Sequence, residues 1–133
     1  MTPPDAANTA RPRILVIEDE PSVAAFLRAA LERRGYEVVA ANSAADGLQL
    51  LASSDFGGVI SDFRTPGGIN GTDVQDWLRR HRPELAAKIV FITGDTASRE
   101  TVALLAQANT PCVEKPFRIH ELMAAVEKTI GKS

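Results

Sequence analysis

Short apolar runs alternate along this chain with longer segments in which apolar residues recur every three or four positions. Continuous apolar runs of this length are typical of strands that are buried on both faces of a parallel sheet. Apolar residues at three- and four-residue spacing instead predict amphipathic helices. The pattern predicts strands at Arg13–Ile17, at Glu37–Ala41, from residue 59 into Asp62, from residue 89 to Thr93, and around Cys112–Glu114.

The predicted helices lie between these strands and after the last one. Pro21 suits the first position of a helix, and Ser43 with Asp46 three residues later resembles the start of a capping box. The third helix is expected to end near Pro83, and the fourth to span about 98–108. The fifth begins near Arg118, and the inward faces of the first and fifth helices are predicted to carry Val23, Phe26, Leu27, Ala30 and Leu31, and Ile119, Leu122, Met123, Val126 and Ile130, respectively.

Five alternations of strand and helix with short connections predict a single doubly wound α/β domain with a five-stranded parallel sheet and five helices. The strand Glu37–Ala41 is the most polar of the five, which is typical of a sheet edge. With 133 residues the chain is long enough for one domain with its own core. Residues 1–12 contain three prolines and no apolar core, so we expect a disordered tail or linker there and the domain at 13–131.

Polar side chains that could carry chemistry follow four of the five strands. Glu18 and Asp19 follow the first strand, Asp62 ends the third, Thr93 ends the fourth, and Lys115 follows the fifth. In open α/β sheets, ligands bind outside the carboxyl ends of the strands. Three carboxylates, a hydroxyl and an ammonium at one edge indicate a metal ion beside an anionic group, which is the arrangement of phosphate chemistry.

Each of these residues, taken alone, has an ordinary structural explanation. Glu18 and Asp19 could complement the dipole of the helix that follows them, and Asp62 could be a turn residue. Thr93 could start a loop, and a single lysine such as Lys115 is usually solvated. The hypothesis of a functional site therefore depends on all the positions occurring together.

The composition argues against nucleic-acid binding, an internal disulfide and a membrane span. A net charge of −2 gives no electrostatic case for nucleic-acid binding. Cys112 is the single cysteine, so an internal disulfide is impossible and a reducing, cytoplasmic setting is expected. No apolar stretch approaches the ~20 residues that span a membrane, so no membrane partner is expected.

Four short motifs resemble the response-regulator receiver domain of bacterial two-component systems. Their order matches that family: Ile-Leu-Val-Ile-Glu-Asp-Glu at 14–20, Val-Ile-Ser-Asp-Phe-Arg-Thr-Pro at 59–66, Phe-Ile-Thr-Gly at 91–94 and Glu-Lys-Pro-Phe at 114–117. The resemblance extends over 13–131 and implies a flavodoxin-like receiver domain with strand order 2-1-3-4-5. It is closest to receivers fused to hybrid sensor histidine kinases, in the stretches 93–96 and 111–117.

The resemblance implies a role for each candidate residue in phosphotransfer. Asp62 would accept a phosphoryl group from a phosphohistidine on a histidine kinase or histidine phosphotransfer protein. Lys115 and the Thr93 hydroxyl would contact the phosphoryl oxygens. The chain would catalyse its own phosphorylation and dephosphorylation without a separate turnover substrate, and would signal through a protein partner that the sequence does not identify.

The resemblance also implies a Mg²⁺ site. Asp19 and Asp62 would bind the ion directly, Glu18 would act through a bound water, and the backbone carbonyl of Arg64 would complete the protein ligands. Mg²⁺ typically uses one or two carboxylates, keeps several waters and bridges to phosphate, which fits this set.

The sequence departs from the family pattern at the switch position. That position, three residues before Lys115, usually holds a tyrosine or phenylalanine, and here it holds Cys112. We interpret Cys112 as a small buried apolar residue rather than a redox sensor. Arg64 and Asp95 stand at the positions that tune phosphoryl lifetime in the family. We expect them either to meet across the mouth of the site and limit water access or to be unrelated exposed charges.

Other functions fit the sequence less well. A haloacid-dehalogenase-like phosphatase that uses an aspartyl-phosphate needs a second aspartate two residues after the nucleophile, where this chain has Arg64. A flavodoxin-like FMN carrier needs a hydroxyl- and glycine-rich phosphate loop after the first strand, where this chain is acidic. A degenerate receiver that only binds partners is the remaining alternative, and the complete set of site residues argues against it.

Overall fold

The computed structural model describes residues 12–63, 71–94, 103, 111–115 and 117–131. Strands and helices alternate along them as the apolar pattern predicts. The strands are β1 (Arg13–Ile17), β2 (Glu37–Ala41), β3 (Gly58–Asp62), β4 (Ile89–Thr93) and β5 (Cys112–Glu114). The helices are α1 (Pro21–Arg33), α2 (Ala44–Ser53), α3 (Gly71–His81), α4 (Pro83–Ala86) and α5 (Ile119–Thr129).

The five strands form one parallel sheet in the order β2-β1-β3-β4-β5. The predicted fold class and strand order are therefore confirmed, and β2 lies at an edge as its polarity indicates. Because all strands run the same way and pair in register, their carboxyl ends lie along one edge of the sheet. That edge is where the candidate residues were expected.

The sheet separates two apolar layers. Alternate residues of a strand point to opposite faces. Ile14 and Val16 of β1 pack on the face covered by α1 and α5, and Leu15 and Ile17 pack on the face covered by α2, α3 and α4. Burying the central strands on both faces explains why their sequences are continuously apolar.

The inward apolar faces predicted for α1 and α5 each include one residue that is exposed in the structure. Phe26 of α1 and Ile119 of α5 were expected to point inward, but both are exposed large apolar side chains. The buried residues of these helices are fewer than the spacing indicated: Leu27, Ala30 and Leu31 in α1, and Leu122, Met123 and Val126 in α5. Phe26 instead contacts the ring of Phe117, with centroids 5.8 Å apart.

The helix termini follow from local sequence. Pro21 occupies the start of α1, as predicted. The side chain of Ser43 accepts a hydrogen bond from the Asp46 backbone N–H at 3.1 Å, which caps α2. After α1 the chain turns at Gly35, whose φ of 94° is a conformation that glycine adopts without strain.

The short helix α4 was not predicted. Pro83 was interpreted as the end of the third helix, whereas in the structure it also begins α4. Arg82, between α3 and α4, donates hydrogen bonds to the carbonyls of Leu51 (2.8 Å) and Ser54 (3.0 Å) at the end of α2. It also pairs with Asp55 at 2.6 Å, so its guanidinium ties α2 to the α3–α4 junction.

Some predictions lie outside the described residues. The helix over 98–108 is among them except for Ala103, which is helical. The tail at 1–12 is described only at Pro12, so its disorder stays a prediction. Among the described helices, none has both the length and the apolar character needed to cross a membrane.

Candidate functional site

The structure brings the predicted site residues together at the carboxyl edge of the sheet. Glu18 and Asp19 follow β1, Asp62 is the last residue of β3, Thr93 is the last of β4, and Lys115 follows β5. The Lys115 backbone N–H donates to the Thr93 carbonyl at 2.8 Å, which fixes the start of the lysine side chain beside β4. The sheet topology alone thus places all five residues side by side.

Three carboxylates form the acidic part of the site. One oxygen from each of Glu18, Asp19 and Asp62 lies within 4.8 Å of the others. Glu18 and Asp62 are buried and Asp19 is exposed, so the cluster opens to solvent on one side. Burial, and then the charge of Asp62, raise the pKa of Glu18 above its usual value, against the lowering effect of the Glu20 backbone N–H and of Lys115.

Lys115 supplies the positive charge of the site. Its Nζ lies 3.1 Å from Glu18 Oε1, 3.2 Å from Glu20 Oε1 and 3.2 Å from Asp62 Oδ2. Burial alone would lower the pKa of this lysine, but the three carboxylates outweigh burial and raise it. Lys115 therefore stays protonated at neutral pH and partly neutralises the carboxylates.

The carboxylate cluster fits a hard divalent cation. Carboxylate oxygens are the protein ligands that Mg²⁺ and Ca²⁺ prefer. Oε1 of Glu18 is buried and accepts no hydrogen bond from the described residues, although the Lys115 ammonium lies near it as an ion-pair partner. A buried carboxylate oxygen in this condition is suited to a metal-bound water, which would donate a hydrogen bond to it.

Glu20 is a site residue that sequence reasoning missed. An acidic residue directly before a helix is usually explained by the helix dipole, yet the Glu20 side chain makes no capping hydrogen bond. It accepts a hydrogen bond from Lys115 instead. The run Glu-Asp-Glu at 18–20 was the only available signal, and it does not distinguish a dipole partner from a partner that is distant in sequence.

Two of the expected site residues, Arg64 and Asp95, lie outside the described residues. The backbone carbonyl predicted as a metal ligand and the predicted tuning contact both stay predictions. Phe63 and Gly71, which flank the segment 64–70, are close to each other, because the Gly71 N–H donates to the Phe63 carbonyl at 2.8 Å. Gly71 suits this position since an added Cβ would lie 2.7 Å from the Phe91 ring.

Cys112 lies at the predicted switch position on β5. It is half-buried and packs against the apolar layer on the α2–α4 face of the sheet. Burial, and then the charge of Glu114, raise the pKa of its thiol to about 11. Because the thiolate is the reactive form, this environment favours the interpretation of Cys112 as an apolar packing residue.

An apolar groove of about 450 Å³ opens directly beside Lys115. The exposed ring of Phe26 and the ring of Phe117 form its apolar lining, together with Val23, and Gly94 lies beside the Lys115 side chain. The groove gives a partner protein an apolar surface next to the charged cluster.

A family model described as the response regulator receiver domain matches residues 14–127. The chain belongs to this family. The resemblance seen in the four sequence motifs is therefore confirmed for the receiver domain. Fusion to a hybrid histidine kinase is not tested by these matches and stays a prediction.

The curated relatives are regulators that are longer than this chain. The receiver is 32% identical over 120 residues to the transcriptional regulatory protein KdpE of Mycobacterium tuberculosis (strain CDC 1551 / Oshkosh), with 90% of this chain and 51% of the relative covered. It is also 32% identical over 120 residues to the response regulator ArlR of Staphylococcus aureus (strain Mu50 / ATCC 700699), covering 90% of this chain and 53% of that protein. The chain thus spans about half the length of the curated relatives it matches.

Solved receiver structures share the fold. The response regulator TrrA of Thermotoga maritima, solved in complex with Mg²⁺-BeF, is 30% identical with a TM-score of 0.76, covering 89% of this chain and 98% of that one. A CheY-like receiver from Methanospirillum hungatei JF-1 is 26% identical with a TM-score of 0.79, covering 90% and 94%. These similarities agree with the flavodoxin-like topology found here.

Proposed function

We propose that this receiver domain is the phosphoacceptor of a two-component phosphorelay, with Asp62 as the residue that becomes phosphorylated. The observation that carries the proposal is the position of the Asp62 carboxylate. It lies 3.2 Å from the Lys115 ammonium and within 4.8 Å of the Glu18 and Asp19 oxygens. A carboxylate between a cation and a candidate metal site is placed to accept an anionic group.

The reaction transfers a phosphoryl group from nitrogen to oxygen. A carboxylate oxygen of Asp62 forms a bond to phosphorus as the phosphorus–nitrogen bond of the donor phosphohistidine breaks. The leaving nitrogen keeps that electron pair and takes up a proton from solvent, which gives neutral imidazole. Lys115 stabilises the charge on a phosphoryl oxygen, and the Thr93 hydroxyl donates to another, so catalysis is mainly positioning and electrostatic stabilisation.

Mg²⁺ is the metal ion that we assign to the carboxylate cluster. Asp19 and Asp62 would hold it directly, Glu18 through a water, and the Arg64 backbone carbonyl would add a fourth protein contact. When bound, the ion neutralises charge between the carboxylates and the phosphoryl group. The Mg²⁺-BeF complex of the TrrA relative supports this assignment, since that protein is 30% identical to this one.

The phosphodonor is a histidine kinase or a histidine phosphotransfer protein that docks in the groove beside Lys115. A donor must bring its phosphohistidine to the carboxyl edge of the sheet, and this groove is continuous with that edge. Phe26, which is 44% exposed, offers apolar surface there. Such an exposed aromatic is typical of a residue that a partner covers. We place this exchange in the cytoplasm.

The phosphoryl lifetime is the property that we assign to Arg64 and Asp95. Charged side chains two residues after Asp62 and Thr93 would limit the access of water to the aspartyl phosphate. If Arg64→Ala and Asp95→Ala each leave the dephosphorylation rate unchanged, this assignment is wrong.

Intact-mass spectrometry after incubation with Mg²⁺ and acetyl phosphate tests the proposed function. We expect one added phosphoryl group, its absence in Asp62→Asn and when a chelator is present, and its retention in Asp76→Asn. The control removes the same charge from an exposed carboxylate on α3. An unmodified wild-type protein that also fails to bind Mg²⁺ would show that the chain is a degenerate receiver.

A further inference from the structure

The Lys115 ammonium has three carboxylate neighbours, and they differ sharply in exposure. The Glu18 and Asp62 side chains are 1% and 10% exposed, whereas that of Glu20 is 59% exposed. The lysine hydrogen-bonds to Glu20 and Asp62 and forms an ion pair with Glu18. Glu20 is thus the one neighbour that can turn into water without leaving a buried charge behind.

The backbone around Glu20 is held in place. Its N–H donates to Glu18 Oε2 at 3.1 Å, and Pro21 follows it at the start of α1. The side chain reaches a lysine 95 positions away in sequence rather than capping its own helix. The contact with Lys115 is therefore a specific feature of the tertiary structure.

An ammonium group has three N–H donors. In this structure Lys115 donates hydrogen bonds to Glu20 and Asp62 and forms an ion pair with Glu18, so an incoming phosphoryl oxygen must compete with these carboxylates for the ammonium. Asp62 and Glu18 are both buried, and Glu18 also accepts the Glu20 N–H, so neither side chain can turn into water without leaving a buried position. Only Glu20 has both exposure and freedom of the side chain.

We propose that Glu20 is a positioning residue that holds Lys115 in the unphosphorylated site and competes with the incoming phosphoryl group for it. This inference rests on the proposed function. Glu20 slows phosphorylation and weakens binding of phosphoryl mimics, and its withdrawal lets Lys115 turn toward the phosphoryl oxygen. Because exposed ion pairs are weak, removing this contact is expected to change rates or affinities by about 2- to 5-fold.

Three variants separate the contact from the general effect of charge. Glu20→Gln removes the charge and weakens the contact. Glu20→Asp keeps the charge but shortens the side chain by one methylene, which takes it out of reach of Lys115. Glu32→Gln, at an exposed position near the other end of α1, removes the same net charge roughly 18 Å along the helix, at 1.5 Å per residue.

The experiment measures the rate of acetyl phosphate labelling at saturating Mg²⁺, and the Lys115 ammonium signal by NMR in metal-free protein. We expect Glu20→Gln and Glu20→Asp to label about 2- to 5-fold faster and to shift the ammonium signal. Glu32→Gln should do neither. Faster labelling of Glu20→Gln alone, with Glu20→Asp like the wild type, would show charge repulsion instead and overturn the inference.

Two other outcomes would overturn the proposed role of Glu20. Unchanged labelling and an unmoved ammonium signal in both Glu20 variants overturn this inference while leaving the proposed function in place. A wild-type protein that takes up no phosphoryl group overturns both.

Discussion

Replacing Lys115 by methionine is expected to destabilise the metal-free protein by leaving the carboxylate cluster without its cation. The substitution keeps a side chain of similar length and removes the charge. It deletes the ion pairs to Glu18 and Asp62, both of which are buried. Their carboxylates would then repel each other without compensation.

The size of the destabilisation in Lys115→Met follows from how deeply the ion pairs of Lys115 are buried. Removing one partner of a fully buried ion pair costs about 3–5 kcal/mol. Lys115 is 18% exposed and the cluster opens to solvent at Asp19, so the cost is reduced to about 2 kcal/mol at pH 7.5. Mg²⁺ should restore most of the loss, because a ligand that binds only the folded state stabilises it.

The loss of stability caused by Lys115→Met should change with pH in one direction. The pKa of Glu18 is already above its usual 4.5 in the folded protein, and loss of Lys115 raises it further. When the pKa of a carboxyl is higher in the folded state than in the unfolded state, the folded state binds more protons at pH values between the two pKa values. Stability is therefore lost as the pH rises through that window. The difference in the free energy of unfolding between Lys115→Met and the wild type should therefore be small near pH 4.5 and largest at pH values above the raised pKa of Glu18.

Urea unfolding with a chelator, and again with Mg²⁺, measures this effect. Lys88→Met is the matched control, because Lys88 is exposed and has no ion-pair partner among the described residues. Equal free energies of unfolding for Lys115→Met and the wild type at pH 7.5 without metal would show that Lys115 does not stabilise the carboxylate cluster. A destabilisation that grows as the pH is lowered toward 4.5 would contradict the expected pH dependence.

Three further predictions concern the rest of the fold. Arg82→Ala should lower the free energy of unfolding by about 1–2 kcal/mol, because the part-buried carbonyls of Leu51 and Ser54 at the end of α2 lose their donor; a change below a few tenths of a kcal/mol would contradict this. Gly58→Ala should cost about 1–3 kcal/mol in urea unfolding, since its Cβ would lie 2.6 Å from Ile130, and less in an Ile130→Ala background. Cys112, with its thiol pKa at about 11, should react with iodoacetamide at pH 8 roughly 100-fold more slowly than a thiol with a pKa of 9.0; a rate like that of a free cysteine would be inconsistent with its burial.

The sheet and the assembly of the site could be predicted because both follow from one constraint. Strands buried on both faces are continuously apolar, and parallel strands end at one edge. Residues directly after those runs, such as Asp62 and Lys115, must then lie together. The sequence also placed β2 at an edge, because a strand with one neighbour tolerates polar residues.

The remaining features depend on contacts that sequence spacing does not encode. Pro83 is compatible with both the end of one helix and the start of another, so α4 was missed. Phe26 fits the apolar spacing of α1, but its side chain is 44% exposed and its ring contacts Phe117. The partner of Glu20 is 95 residues away, and an acidic residue before a helix is equally well explained by the helix dipole.

The most direct test of the central claim identifies the residue that carries the phosphoryl group. Borohydride reduction converts an aspartyl phosphate to homoserine, which peptide mass spectrometry can assign to one position. After Mg²⁺ and acetyl phosphate treatment, we expect homoserine at position 62 only. Homoserine at another carboxylate, or phosphorylation that persists in Asp62→Asn, would contradict it.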